Sequence, residues 1–195
     1  MAYTVFESTN MASTKYAERI FDAVAETDIE NGTFGYLGEQ NKDYVGHVVY
    51  NFEVGTTEGL KAGEIVVADN PAWKEDESKI TNQRRDAYVI PAGTVFRVRV
   101  VRMNDEFAVS ELGFTAATKS VATEETDFIE NDVYVTIDAA TGKLVAATSK
   151  PASGALIGRI MRKRTVGAAI VTPARTYGSA TAMYEIKVIG VAVAE

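Results

Sequence analysis

Apolar and polar residues alternate with a period of two along much of the chain. In the last third, Val133, Val135 and Ile137 alternate with Tyr134 and Thr136, the spacing of a half-buried strand. Residues 138–142 carry turn chemistry, with Gly142 free to take a positive φ, and Leu144-Val145-Ala146 returns as a second strand. Leu156 to Met161 and Met183 to Val191 repeat the pattern. Upstream, strands are expected at 33–37, 46–54, 64–68, 88–90, 94–103 and 107–112. In the second of these, Val48, Tyr50, Phe52 and Val54 share one face, which would place His47 inside a strand. Asn31-Gly32, Gly59 to Gly63 and Pro91-Ala92-Gly93 supply the turns between them.

Four stretches depart from this rhythm. Residues 1–14 are small and polar, with Tyr3, Val5 and Phe6 as the bulky apolar side chains near the start, and read as an extended arm or a frayed end. In residues 15–26, Tyr16, Ile20 and Val24 fall at helical spacing, and Ala17, Glu18 and Arg19 favour helix. The same apolar residues share one parity and would also suit a strand; helix is the expectation. Residues 69–87 form a long, mixed-charge surface excursion containing Trp73. Residues 115–127 are rich in Ala, Thr and Glu, as a linker between lobes would be. The expected fold is mainly β: one or two small β-sandwich or barrel-like lobes with an N-terminal arm or short helix. The expected division is 1–26, 27–114 and 115–195, with a single domain as the alternative. Thr27-Asp-Ile-Glu-Asn-Gly and Thr126-Asp-Phe-Ile-Glu-Asn-Asp echo each other, and both open a strand; shared turn chemistry accounts for the echo, and a duplicated lobe is the other reading.

Composition narrows the function classes. A chain of 195 residues buries roughly 70% of its unfolded surface, enough for one or two cores. It has no cysteine, which excludes disulfides, thiolate nucleophiles and Cys-ligated zinc. The formal net charge of −7 argues against general nucleic-acid binding. No apolar run reaches about 18 residues, so no membrane-spanning helix is expected. The start lacks the basic and apolar regions of a signal peptide.

Candidate chemistry is sparse. A Ser-His-Asp triad would have to use the single histidine, His47, and no Gly-x-Ser-x-Gly elbow presents a serine. Residues 138–142 lack the ligand alternation and terminal Glu of a calcium loop, and Gly142-Lys143 lacks the rest of a phosphate loop. No enzyme activity, metal or cofactor is expected. Two basic clusters stand out: Arg84-Arg85, and Arg159 with Arg162-Lys163-Arg164. Solvent-facing charge explains them most simply; docking onto an acidic protein surface is the sharper reading. Trp73 is a candidate interface anchor, and Tyr3, Val5 and Phe6 are candidates for insertion between neighbouring subunits.

The tail carries a resemblance. Asn131-Asp132-Val133-Tyr134, the hairpin at Asp138…Gly142-Lys143-Leu144, Leu156-Ile157-Gly158, Val166-Gly167 and the Ile186-Lys187-Val188 strand together resemble small head decoration (capsid cement) proteins of tailed bacteriophages. Arg19-Ile20-Phe21, Asp28-Ile-Glu-Asn-Gly and the Pro-Trp-acidic loop leading to Tyr88-Val-Ile-Pro-Ala-Gly look like parts of longer virion structural proteins from phages of Gram-positive hosts. The chain departs from the short decoration proteins in its length and in a Gly/Ala/Thr-rich insertion at 166–182. The resemblance implies a structural virion protein, made in the bacterial cytoplasm, that binds the major capsid protein on the capsid exterior. It also implies self-association there and no nucleic-acid or membrane partner. Alternatives are a head–tail adaptor, tail-tube or fibre-base part, or a carbohydrate-binding β-module using Trp73.

Overall fold

The computed structural model describes residues 2–55, 57–71, 85–167, 169–171, 176–178 and 180–191. In chain order its strands are β1 (Phe6–Asn10), β2 (Ile20–Val24), β3 (Phe34–Gln40), β4 (Val49–Glu53), β5 (Ile65–Ala68), β6 (Phe96–Val100), β7 (Glu106–Ser110), β8 (Tyr134–Ile137), β9 (Leu144–Ala147), β10 (Leu156–Val166), β11 (Ala169–Val171), β12 (Thr176–Gly178) and β13 (Thr181–Val191). Two short helices, α1 (Thr57–Ala62) and α2 (Lys119–Glu124), interrupt them. The mainly-β expectation, with a barrel among its lobes, holds.

Five strands close into a small barrel in the order β2-β4-β3-β5-β6. Its interior mixes small and large side chains: Ala23 and Ala68 sit beside Phe52, Val66, Phe96 and Val98. Phe52 and Phe96 meet edge-to-face with centroids 5.5 Å apart, an arrangement that adds to simple burial. A two-bond bridge between Ile29 and Ile90 (N···O 2.9 and 2.8 Å) adds Ile29 and Ile90 to this core.

The remaining long strands form an open six-stranded sheet, β1-β7-β13-β10-β8-β9. Its inner face carries Phe107, Val109, Val135, Leu144, Leu156, Ile160, Tyr184, Ile186 and Val188. That face packs on the outside of the barrel wall, where Phe34, Ile65 and Val67 project, and Phe34 lies 5.4 Å from Phe107 ring to ring. The apolar run Ile65-Val66-Val67-Ala68 is thereby explained: Ile65 and Val67 belong to the core between barrel and sheet, Val66 and Ala68 to the barrel interior. The hairpin turn at 138–142 locks the sheet to the barrel. Phe34 N donates to Gly142 O (2.8 Å), and Gly142 has a φ of 66°. A Cβ at Gly142 would lie 2.4 Å from Phe34 O, so the close approach requires glycine.

Several expectations need correction. Residues 15–26 are not an α-helix. A 3₁₀ turn at Ala17–Arg19 leads into β2, which pairs with β4 and β6. Strand partners on both sides outweigh the modest helix propensity of Ala17, Glu18 and Arg19. The start of the chain is not a free arm: β1 pairs antiparallel with β7, and Val5 and Phe6 are buried. The 115–127 stretch contains α2, whose Ala122 is buried in the core shared by barrel and sheet. The turn expected at Gly59 to Gly63 is α1, anchored by the buried Leu60. His47 sits exposed in the loop before β4 rather than in a strand. The sheets also ignore a boundary at 114/115, because β1 and β7 join β8, β9, β10 and β13. The two echoed segments open strands of different sheets, β3 in the barrel and β8 in the open sheet.

Candidate functional site

The outer face of the six-stranded sheet is built from alternate residues whose neighbours point into the core. On β13, Tyr184, Ile186 and Val188 face inward, which leaves Glu185 and Lys187 on the outer face. Antiparallel register then places Arg162 of β10 directly opposite Glu185. Arg162 holds Glu185 through two nitrogens, one at 3.0 Å. Arg164 Nε lies 2.7 Å from Glu185 Oε1, the oxygen that also accepts from Arg162 Nη2, and the Arg164 guanidinium also reaches Glu7 on β1. Arg159 pairs with Asp132, and Lys187 Nζ lies 3.4 Å from Glu106 Oε1. The Glu185 carboxyl is held below the usual carboxylate range, chiefly by the hydrogen bond from Arg162 and also by the charges of both arginines, against an opposing effect of burial.

The basic cluster is largely paired within the molecule. Arg159, Arg162 and Arg164 are not unpaired; strands distant in sequence bring carboxylates to them. Lys163 differs. It is exposed, makes no ion pair among the described residues, and stands 5.6 Å over the Tyr184 ring. Arg162 remains open to solvent despite its pair, with 68% of its side chain exposed. On the inner side Tyr184 is buried between Phe114 and Phe128, and burial, helped by the charge of Glu111, pushes its phenol up to about 12.

The other candidates separate. Val5 N donates to Ser110 Oγ (3.0 Å), and the Val5 side chain packs with Ala108 and Met183. Phe6 packs on Phe107 at 5.5 Å. Tyr3 is half-buried and its N–H bonds Asp86 O (2.7 Å). Val5 and Phe6 are therefore part of this chain's own core. Trp73 and Arg84 lie outside the described residues; the backbone of Arg85 opens a 3₁₀ turn.

The backbone of β10 has an unused side. β13 pairs with it from Leu156 to Val166, with a bulge between Ile160 and Arg162. On the opposite side β8 pairs only with Gly158 and Arg159, and Ile160 N donates to Val133 O (2.9 Å). From 161 to 166 no strand lies on that side among the described residues. The hairpin runs on past the sheet, where β11 and β12 pair with each other.

A polar cleft of about 600 Å³ opens between the barrel and the 138–142 turn. Glu26, Asp28 and Glu53 line it, with Asn41 donating to Asn51 (2.9 Å) and Lys143 lying 3.6 Å from Glu30. Asp28 is partly engaged, accepting from Ala92 N (3.0 Å). The sequence shows its residues only as strand-opening turns, since the cleft forms where four separate segments meet. No group of three His, Asp or Glu side chains suited to a metal lies among the described residues. Compared with protein-family models, curated proteins and solved structures, the chain matches none.

Proposed function

We propose that this protein is a non-enzymatic structural component of a tailed-phage virion that binds the major capsid protein on the capsid exterior, where copies associate and tie neighbouring capsomers together. The long β10–β13 hairpin carries the reading. It extends beyond its sheet, exposes a run of backbone on one side, and coincides with the tail pattern that resembles decoration proteins. A segment of this kind serves contact with other chains, because unsatisfied strand backbone recruits a strand partner. Binding at many equivalent lattice sites would stabilise the assembled shell by mass action. Mass spectrometry of purified particles should find the protein near stoichiometry with capsid subunits, and its absence from particles would refute the assignment. The polar cleft favours a second reading, a carbohydrate-binding module, because carboxylates, amides and Lys143 suit hydroxyl-rich ligands. A glycan array tests it, with binding lost on Asn51→Ala.

A further inference from the structure

We infer that the free side of β10, residues 161–166, is a strand-addition site for an extended acidic segment of a partner protein. The inference rests on reading the molecule as a protein-binding structural component and names the chemistry of the contact.

Among the described residues no strand fills the lane beside β10, because β8 leaves it. Beyond the Val133 contact the chain turns away, and Asn131 N bonds Asp127 O (3.1 Å) in the turn that precedes β8. Six residues of β10 then run for about 20 Å without a paired strand on that side among the described residues. The other edges of the sheet are blunted. Thr115 N donates to Leu144 O (2.8 Å), and α2 packs beside β9. β1 is short, and its register slips between Glu7 and Asn10.

Charge selects the occupant. Arg162-Lys163-Arg164 occupies the open stretch: Arg164 is engaged by Glu7 and Glu185, Arg162 keeps 68% of its side chain exposed beside Glu185, and Lys163, over the Tyr184 ring, makes no ion pair among the described residues. A second copy pairing edge to edge would set these cations against their own kind, and like charges across a strand pair are destabilising. Basic residues and a bulge on an edge ordinarily protect against such self-pairing. The same device favours a strand of opposite sign, so repulsion of copies and attraction of an acidic partner have one cause. Glu185, already opposite Arg162 on the β13 side, shows the match from within the molecule. A strand with a carboxylate at every second position would meet Arg162 and Arg164 on one face. Shifted by one residue, it would meet Lys163 on the other.

The test uses the full chain and a capped ten-residue peptide alternating Glu with Val and Thr. Expected are saturable, salt-weakened binding and slowed amide exchange confined to residues 161–166. A version alternating Lys for Glu should not bind. A version with the same charges but alternate backbone nitrogens methylated should bind at least tenfold more weakly, because it cannot complete a ladder. Failure of the Glu peptide to bind, equal binding of the methylated peptide, or protection elsewhere on the chain would overturn the proposal. The particle measurement decides the reading of function and the peptide measurement decides the edge, so the two can fail separately.

Discussion

The barrel and the open sheet are both antiparallel-rich β-structures, yet they use their backbones differently. Closure of β2, β4, β3, β5 and β6 leaves the barrel without an edge strand. What it presents to the outside is therefore strand side chains and loops, the cleft among them, and no free strand backbone. The six-stranded sheet buries one face on the barrel and gives the other to an array of ion pairs, and it keeps edges. A closed unit makes a firm anchor, and an open one can still accept another strand. The difference leaves strand addition open to the sheet and closed to the barrel.

Removing residues 1–12 should break the comparison most severely. β1 supplies Phe6 to the shared core, and Val5 and Met11 are also buried. Each such side chain is worth about 1.5–3 kcal/mol on burial. The truncated chain should lose at least about 4 kcal/mol in denaturant titration, and Phe6→Ala alone about 3–5 kcal/mol. An unchanged midpoint would show that β1 is dispensable and that the sheet is effectively five-stranded.

A glycine pair sharpens the contact between the two units. Gly142 and Gly93 both have positive φ, 66° and 71°. A Cβ on Gly142 would collide with Phe34 O, whereas nothing lies within 4 Å of one on Gly93. Gly142→Ala should cost about 1–3 kcal/mol or more, and Gly93→Ala should sit at the low end of that range. Equal shifts in thermal midpoint would mean that backbone conformation alone matters at both turns and that the docking of the hairpin contributes nothing.

The smallest effect belongs to the outer face. The Glu185 carboxyl has a lowered pKa in the folded state, so its contribution is fully present above the unfolded carboxylate pKa of about 4.3. That contribution is lost as pH falls through the lower folded value. Glu185→Gln should therefore be less stable than the parent by about 0–1 kcal/mol at neutral pH. The gap should close under acid, as measured by paired urea titrations across pH. A gap that widens in acid would contradict the pairing with Arg162 and Arg164.

Much of the open sheet was legible in sequence, because buried and half-buried residues alternate along most of β8, β9 and β13. The barrel strand β2 was not. Ala17, Glu18 and Arg19 carry local helix preference, while the partners that fix a strand, Val49 and Arg97, lie far along the chain. The same distance hid the fate of the N-terminus, since the Ser110 that anchors Val5 is 105 residues away. The basic cluster was visible but its pairing was not. Which carboxylate faces Arg162 depends on the register of β10 against β13, including a bulge that local pattern does not announce. The cleft left no local trace, because residues 24–30, 33, 41, 51–54, 140, 141 and 143 become neighbours only after both sheets have formed.

The strand β5 has a consequence for how the molecule comes apart. Its four residues have no solvent face, two serving each core. Melting either core strips one side of this strand and leaves the other without a wall. The barrel and the sheet should therefore unfold cooperatively, as one transition with matching calorimetric and van't Hoff enthalpies. Partial opening is confined to segments that β5 does not touch, such as the far end of the β10–β13 hairpin. A protein built this way can loosen its projecting segment without placing its folded body at risk.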